Sequence, residues 1–196
     1  SCIWQCAAEE GLPVLFHIAD PVAFFKTIDA SNERYEELNA HPDWAFNAPE
    51  LYSFHQLMEM QYRMVQSNPK TTFILAHVAG FSENLAAVSK WLDELPNMYV
   101  DIAERISELG RQPYTSRRFF EKYADRILFG TDMTPTTDMT RHLIYFRFLE
   151  TQDEYFRYDA TPNGKQGRWR IYGIDLPDDV LEKIYTKNIE KLIGQW

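Results

Sequence analysis

The feature that most constrains the fold is a repeated unit in which a short apolar run is followed by an amphipathic helical pattern. The runs Val14–Phe16, Thr72–Ala76, Met98–Ile102 and Arg126–Gly130 are predicted strands, and hydrophobic residues recur between them at helical spacing. Strands that are almost wholly apolar are typical of parallel sheets covered by helices on both faces. Four such units without a low-complexity linker predict one α/β domain over residues 1–196.

Start and stop signals place the helices between these strands. We predict helices at 2–10, from a Ser53 cap to Asn68, from a Ser82 cap to Leu95, at 103–109 and 116–124, from an Asp138 cap to Leu149, and from Pro177 to Leu192. The long connection 20–50 is expected to hold a short helix around Glu33–Leu38. The segments Tyr155–Tyr158 and Trp169–Tyr172 are expected to pair as a hairpin.

Composition narrows the possible partners. The formal net charge of -9 disfavours nucleic acid, whose phosphates require clustered Lys and Arg, and no apolar run is long enough to cross a membrane. Cys2 and Cys6 are expected to be reduced thiols packed as small apolar groups, which favours a cytoplasmic location. A small-molecule substrate is therefore the expected partner.

Polar residues with metal-binding chemistry recur at one position of the repeated unit. His17, His77 and Asp132 each stand at or just beyond the carboxyl end of a predicted strand. In a (β/α) barrel these positions open onto one face, and that face holds the active site. Two imidazoles and a carboxylate suit a divalent ion, Zn²⁺ above all, with an open position for water. The sequence therefore predicts a metal and catalytic site built from these three side chains.

Each of these residues also has an ordinary structural interpretation. A single His after an apolar strand is more often a hydrogen-bonded core or loop residue, and an Asp after Gly-Thr is commonly a turn or cap residue. The shared position of all three favours the functional interpretation. For His41, His55 and His142, which fall in a loop, a first helical turn and a helix middle, the structural interpretation is preferred.

At these residues the sequence resembles the amidohydrolase-related family, in particular its aminocarboxymuconate-semialdehyde decarboxylase-like branch. The matching stretches are VLFHIAD, TTFILAHVAG, MYVDIAER, RILFGTD and the closing helix IYTKNIEKLIG. Together they span almost the whole chain. The resemblance implies a metal-dependent (β/α)₈ TIM barrel, of which this chain would supply the C-terminal portion with strands 5–8.

The resemblance also implies roles for single residues. His17 matches the metal-binding histidine of strand 5, and His77 matches the strand 6 histidine that binds metal or polarises the substrate. Asp132 matches the strand 8 aspartate, which is a ligand and proton shuttle. Arg105, just past strand 7, could hold a substrate carboxylate in its planar fork, although a surface arginine is an equal alternative.

The sequence departs from the family pattern at its beginning. Family members carry a His-x-His metal-ligand pair on strand 1, and this chain has no His-x-His and no counterpart of strands 1–4. Four strands cannot close a barrel, so we expect self-association or association with a missing N-terminal half. The expected function is metal-dependent hydrolysis of a small carboxylated molecule. A nonoxidative decarboxylase (a lyase) and a catalytically inactive half-barrel remain the alternatives.

Overall fold

One parallel sheet organises the chain. The computed structural model describes residues 2–134, 140–158 and 166–194. Within them the sheet has the order β1–β2–β3–β4, and its strands are Val14–Phe16, Phe73–Leu75, Met98–Asp101 and Ile127–Leu128. Every neighbouring pair is parallel and consecutive in sequence. The predicted α/β architecture is confirmed.

Helices connect the strands and pack against the sheet. Those of the described residues are α1 Cys2–Glu9, α2 Tyr35–Ala40, α3 Phe54–Gln66, α4 Leu85–Glu94, α5 Ile106–Gly110, α6 Pro113–Lys122, α7 Thr140–Glu150, α8 Asp178–Glu182 and α9 Asn188–Ile193. A π-helical turn, Lys183–Lys187, joins α8 to α9. Short 3₁₀ turns lie at Val22–Phe25, Pro42–Trp44 and Ala124–Arg126.

Of the helix caps predicted from the sequence, one is confirmed, one is wrong and one lies outside the described residues. Ser53 forms a reciprocal capping box with Gln56 at the start of α3, as its sequence position predicts. The predicted Ser82 cap was wrong: Asn84 caps α4, and its side-chain oxygen accepts the amide proton of Ala87 at 3.1 Å. Asn84 directly precedes Leu85, the first residue of the helix, and its side-chain oxygen is therefore placed to accept the free amide proton of the first turn. Asp138 lies outside the described residues.

Alternate residues of the strands face opposite sides of the sheet. Phe73 and Val100 are fully buried beneath the helices. On the other face, Ile74 and Tyr99 lie against α9. Leu15 belongs to this second face by register but is 67% exposed. The surface that would line the interior of a closed barrel is therefore covered near β4 and open at β1.

The two edge strands, β1 and β4, differ in how far their outer edges are covered. The Phe129 amide donates to the Ile184 carbonyl at 3.0 Å, beside β4. The buried Asn188 side-chain amide donates to the carbonyls of Ala124 and Ile127, both at 2.7 Å. The closing helical segment therefore satisfies these backbone groups beside β4. β1 pairs with β2 alone among the described residues.

Three smaller expectations can be compared with the structure. Cys2 and Cys6 are free thiols, but both are exposed, so the expectation that they are packed was wrong. Of the expected hairpin, the described residues show one antiparallel bridge, between Phe156 and Ile171. Across the described ranges, no helix has the length and hydropathy needed to cross a lipid bilayer.

Candidate functional site

Three strand ends bring the sequence-predicted residues to one cavity of about 430 Å³. His17 follows β1 directly, and its ring meets the His77 ring edge to face, with centroids 4.7 Å apart. Asp132 follows β4, and its Oδ2 lies 4.0 Å from Nε2 of His77. Side chains far apart in sequence meet here because parallel strands end at the same edge.

His77 sits in an unusual backbone conformation. The segment after β2 forms a left-handed turn, in which His77, Val78 and Ala79 have φ of 61°, 55° and 58°, and Gly80 closes it at 67°. The sequence predicts a strand that simply ends at His77, and it does not predict this turn. The turn points the His77 ring across the strand ends towards Asp132.

The His77 ring is held in one tautomer. Its Nδ1 lies 2.8 Å from the Ala103 carbonyl, which can only accept, so Nδ1 carries the proton. Burial, and next the Arg105 cation, lower the pKa of His77. The neutral ring therefore presents the lone pair of Nε2 towards Asp132. That is the form in which imidazole binds a metal or accepts a proton.

Asp132 is the exposed member of the group. Its side chain is 64% exposed, and its backbone lies in the left-handed region at φ 54°. The 4.0 Å between its Oδ2 and Nε2 of His77 is too long for a hydrogen bond. A carboxylate in this position is free to contact a bound molecule.

The structure contains part of a ligand set for the metal predicted from the sequence. Two donors at about 2.0–2.2 Å from one ion are at most about 4.4 Å apart, and His77 and Asp132 satisfy that limit. His17 adds a second imidazole beside them. In the part of the chain that the structure describes, no three potential ligands converge as a complete metal site. The donor chemistry of these three side chains therefore fits a divalent ion, with a ligand set that is incomplete within the described residues.

Arg105 lies on the same cavity and is not a surface arginine. It is 5% exposed, and its Nη1 donates to the Glu104 carbonyl at 2.9 Å. Its Nη2 lies 3.9 Å from Oδ1 of Asp20, beyond hydrogen-bond distance, and this buried nitrogen has no hydrogen-bond partner among the described residues. Buried guanidinium groups are normally fully paired. Nη2 of Arg105 can therefore donate to an acceptor on a bound molecule.

A second buried arginine, Arg34, lies on the cavity and is not predicted from the sequence. Its Nη1 pairs with Glu37 at 3.0 Å, and its Nη2 binds Glu108 and the Ser107 hydroxyl. Burial raises the pKa of Glu37 more than Arg34 lowers it. Burial also opposes ionisation of Glu108, but Arg34 and Arg105 outweigh it and hold the Glu108 pKa below its ordinary value. The nearby Arg34–Glu37 pair is also typical of an exposed helix, and the partner that buries Arg34, Glu108, is 74 positions away, so the burial has no local signal.

The cavity has an aromatic side as well as a charged one. Phe24, Trp44 and Phe46 line it together with the two arginines. Trp44 is stacked on His41, with ring centroids 4.1 Å apart. Of the residues whose expected role was structural, His41 thus supports a cavity wall, whereas His55 and His142 do not line it.

Comparison with known proteins shows where this architecture belongs. The family model described as amidohydrolase matches residues 2–195. A TIM-barrel protein from Bordetella bronchiseptica superimposes with a TM-score of 0.52 at 16% identity, covering 98% of this chain and 49% of that one. A 2,6-dihydroxybenzoate decarboxylase solved with 2,6-dihydroxybenzoate gives a TM-score of 0.52 at 16% identity, covering 99% and 54%.

A third solved structure, described as amidohydrolase II, gives a TM-score of 0.50 at 13% identity, covering 98% of this chain and 55% of the other. The comparison with curated proteins gave no match. The chain thus spans about half the length of the barrels that it resembles, which confirms the predicted partial TIM barrel. With its whole described length matched by the family model, the chain belongs to the amidohydrolase family.

Proposed function

We propose that this chain supplies the strand 5–8 half of a metal-dependent hydrolase that acts on a small carboxylated molecule. The observation that carries the proposal is the pairing of a neutral, tautomer-fixed His77 with the accessible carboxylate of Asp132 at 4.0 Å, beside His17. When bound, a divalent ion such as Zn²⁺ would supply a water molecule with a pKa of about 7 and a Lewis acid for a substrate oxygen.

The chain's own residues have separate tasks in this proposal. His17 and Nε2 of His77 would hold the ion together with Asp132, whose carboxylate would accept a proton from the attacking water. His77 is better suited to bind than to polarise a carbonyl group, because its Nδ1 proton is engaged by Ala103 and Nε2 carries none. The spare Nη2 of Arg105 binds a substrate carboxylate, and Phe24 and Trp44 contact the apolar part of the substrate.

Nonoxidative decarboxylation is the second candidate. It is favoured by the same spare Arg105 donor, which suits a carboxylate substrate, and by the structural likeness to a 2,6-dihydroxybenzoate decarboxylase. Hydrolysis and decarboxylation would need the same residues at the metal. They differ in whether the carboxylate that binds is also the group that leaves. A catalytically inactive half-barrel is the third alternative.

Zinc binding separates the enzyme from the inactive alternative. The metal-stripped chain is titrated with Zn²⁺ by calorimetry, next to His17→Ala and a matched control, His55→Ala, at an exposed histidine outside the cavity. We expect binding by the wild-type chain and the control, and a clear loss in His17→Ala. No zinc binding by the wild-type chain, or equal binding by all three, would contradict the proposal.

Product analysis separates the two reactions. A panel of small carboxylated amides, esters and hydroxybenzoates is incubated with the zinc-loaded chain, both alone and in any complex that completes the barrel. Release of an amine or alcohol supports the hydrolase. Release of carbon dioxide with the ring intact supports the decarboxylase instead.

A further inference from the structure

The left-handed turn after β2 is energetically costly for its sequence. Three consecutive non-glycine residues, His77, Val78 and Ala79, occupy φ values of 55–61°. Each such residue costs roughly 1–2 kcal/mol, and Val78 is β-branched, which makes the conformation rarer still. Such strain persists only where surrounding contacts enforce it, and it is concentrated at functional sites.

Asp101, at the end of the neighbouring strand β3, supplies the central contact. One carboxylate oxygen, Oδ1, accepts the backbone amide protons of His77 at 2.8 Å and of Ala103 at 3.0 Å. The Ala103 carbonyl in turn lies 2.8 Å from Nδ1 of His77. A single oxygen atom therefore fixes both the backbone that carries the imidazole and the loop that accepts its ring proton.

Other contacts hold the rest of the turn but not the ring. The Gln61 side chain donates to the Ala79 carbonyl at 2.9 Å, and Val78 and Ala79 are fully buried. A side chain at Gly80 would meet the Ala19 carbonyl oxygen at 3.1 Å, in addition to the strain of its φ. These contacts act on residues 78–80. Asp101 is the member of this set whose side chain bonds to the His77 amide, whereas the Gly80 amide donates to the His77 carbonyl at 3.0 Å.

We infer that Asp101 is a positioning residue that sets the orientation and tautomer of His77. Asp101 is 9% exposed and does not line the cavity, so it acts through His77. The functional consequence rests on the proposed metal site, since the tautomer leaves Nε2 free to bind an ion. Partners that orient a metal-binding histidine in this way typically change metal affinity about 10- to 100-fold when removed.

Three substitutions distinguish this role from a simple charge effect. Asp101→Asn keeps an acceptor oxygen at nearly the same place and loses the charge. Asp101→Glu keeps the charge and moves the oxygen by one methylene group, and Asp101→Ala removes both. Asp93→Asn, at a surface aspartate bound to Lys122 and Tyr123, is the matched control for loss of one charge.

The primary measurement is the ¹⁵N spectrum of the histidine rings in the metal-free chain, which reports the tautomer directly. We expect His77 in the wild-type chain, Asp101→Asn and Asp93→Asn to show a protonated Nδ1 and a bare Nε2. In Asp101→Glu and Asp101→Ala the two tautomers should interconvert. Zn²⁺ titration should show an affinity about 10- to 100-fold weaker in the same two variants.

The opposite order would overturn the inference. Wild-type tautomer and zinc affinity in Asp101→Glu, with loss in Asp101→Asn, would show that charge matters and the oxygen position does not. An unchanged His77 spectrum in all three variants would show that Asp101 has no positioning role. If Asp101→Ala does not fold, the comparison of the Asn and Glu variants decides alone. If the wild-type chain binds no zinc, the proposed function fails, while the tautomer measurement still tests Asp101.

Discussion

Oδ2 of Asp132 lies 4.0 Å from Nε2 of His77, although the two residues come from strands separated by β3. The gap is too wide for a hydrogen bond and narrow enough for both atoms to reach one ion. Because the Asp132 side chain is 64% exposed, its contacts with the rest of the chain contribute little to folding. Metal binding and stability should therefore respond differently to its loss.

Asp132→Asn should leave the free energy of unfolding within about 0.5 kcal/mol of wild type, as expected for an exposed position. Its zinc affinity should fall by more than the about 10- to 100-fold that loss of an outer partner costs. Turnover in the complete barrel should nearly vanish. Urea unfolding and Zn²⁺ calorimetry on the same preparation check this. Normal zinc binding and turnover would remove Asp132 from the site.

Arg105→Lys should raise KM for a carboxylated substrate much more than it changes kcat. The spare Nη2 contacts a group that is present in both the ground and transition states, and a lysine cannot reproduce the planar fork. Loss of one partner of a buried charged pair costs about 2–5 kcal/mol. Steady-state kinetics, with the exposed Arg118→Lys as control, check the split. If kcat falls and KM is unchanged, Arg105 acts on the reaction step itself, as in the decarboxylase alternative.

The convergence of the three strand-end residues could be predicted from the sequence, whereas the left-handed turn at His77 could not. The apolar runs end at His17, His77 and Asp132, so strand periodicity and parallel topology were enough to bring them together. The left-handed turn leaves no such trace, since only Gly80 in it favours that conformation. Its support comes from Asp101 on another strand.

Arg34 illustrates a second limit. It precedes the polar segment Tyr35–Ala40, whose Glu residues are typical of a solvated helix. Its burial becomes visible only when Glu108 is brought to it by the tertiary fold. Buried ion pairs between distant segments leave no periodic pattern along the chain, so the charged wall of the cavity could not be predicted.

Glu108→Gln should lower the free energy of unfolding at neutral pH. It should also make that free energy fall less steeply as the pH is lowered below 4.5. The pKa of Glu108 is lowered in the folded chain, with burial opposing ionisation and Arg34 and Arg105 favouring it. A lowered carboxyl pKa contributes stability that is complete above the unfolded value near 4.5 and is lost as the pH falls through the folded value. The variant should lose about 3 kcal/mol at pH 7, because a buried Arg34 loses a partner.

Urea midpoints measured from pH 7 to 3 check this expectation. Below pH 4.5 the wild-type curve should fall more steeply than that of Glu108→Gln, because the variant lacks this carboxyl. Glu33→Gln, at a half-exposed ion pair with Arg111, is the control and should stay near wild type at pH 7. Parallel pH curves for wild type and Glu108→Gln would show that the Glu108 pKa is the same in the folded and unfolded chain, which would contradict this prediction.

Asn188→Ala should destabilise the chain by about 2–4 kcal/mol. Its buried amide satisfies the carbonyls of Ala124 and Ile127 at 2.7 Å each, and two buried acceptors would be left without a donor. Asn188→Asp should be at least as harmful, since a carboxylate cannot donate. Thermal or urea unfolding checks both variants. A loss below about 0.5 kcal/mol would mean that water replaces the amide and that the edge of β4 is less well sealed than the structure indicates.

The open edge of β1 should make the purified chain associate. Leu15 is 67% exposed on the sheet face that is buried elsewhere, and β1 has one strand partner within the described residues. An apolar strand edge without charged residues readily pairs with another chain. We expect light scattering to show a species larger than 23.1 kDa, formed with a second copy or with a chain supplying the other half of the barrel. Leu15→Lys should shift it towards monomer, whereas Leu143→Lys, at an equally exposed leucine on α7, should not. A wild-type chain that stays monomeric at high concentration would show that β1 is covered without a partner.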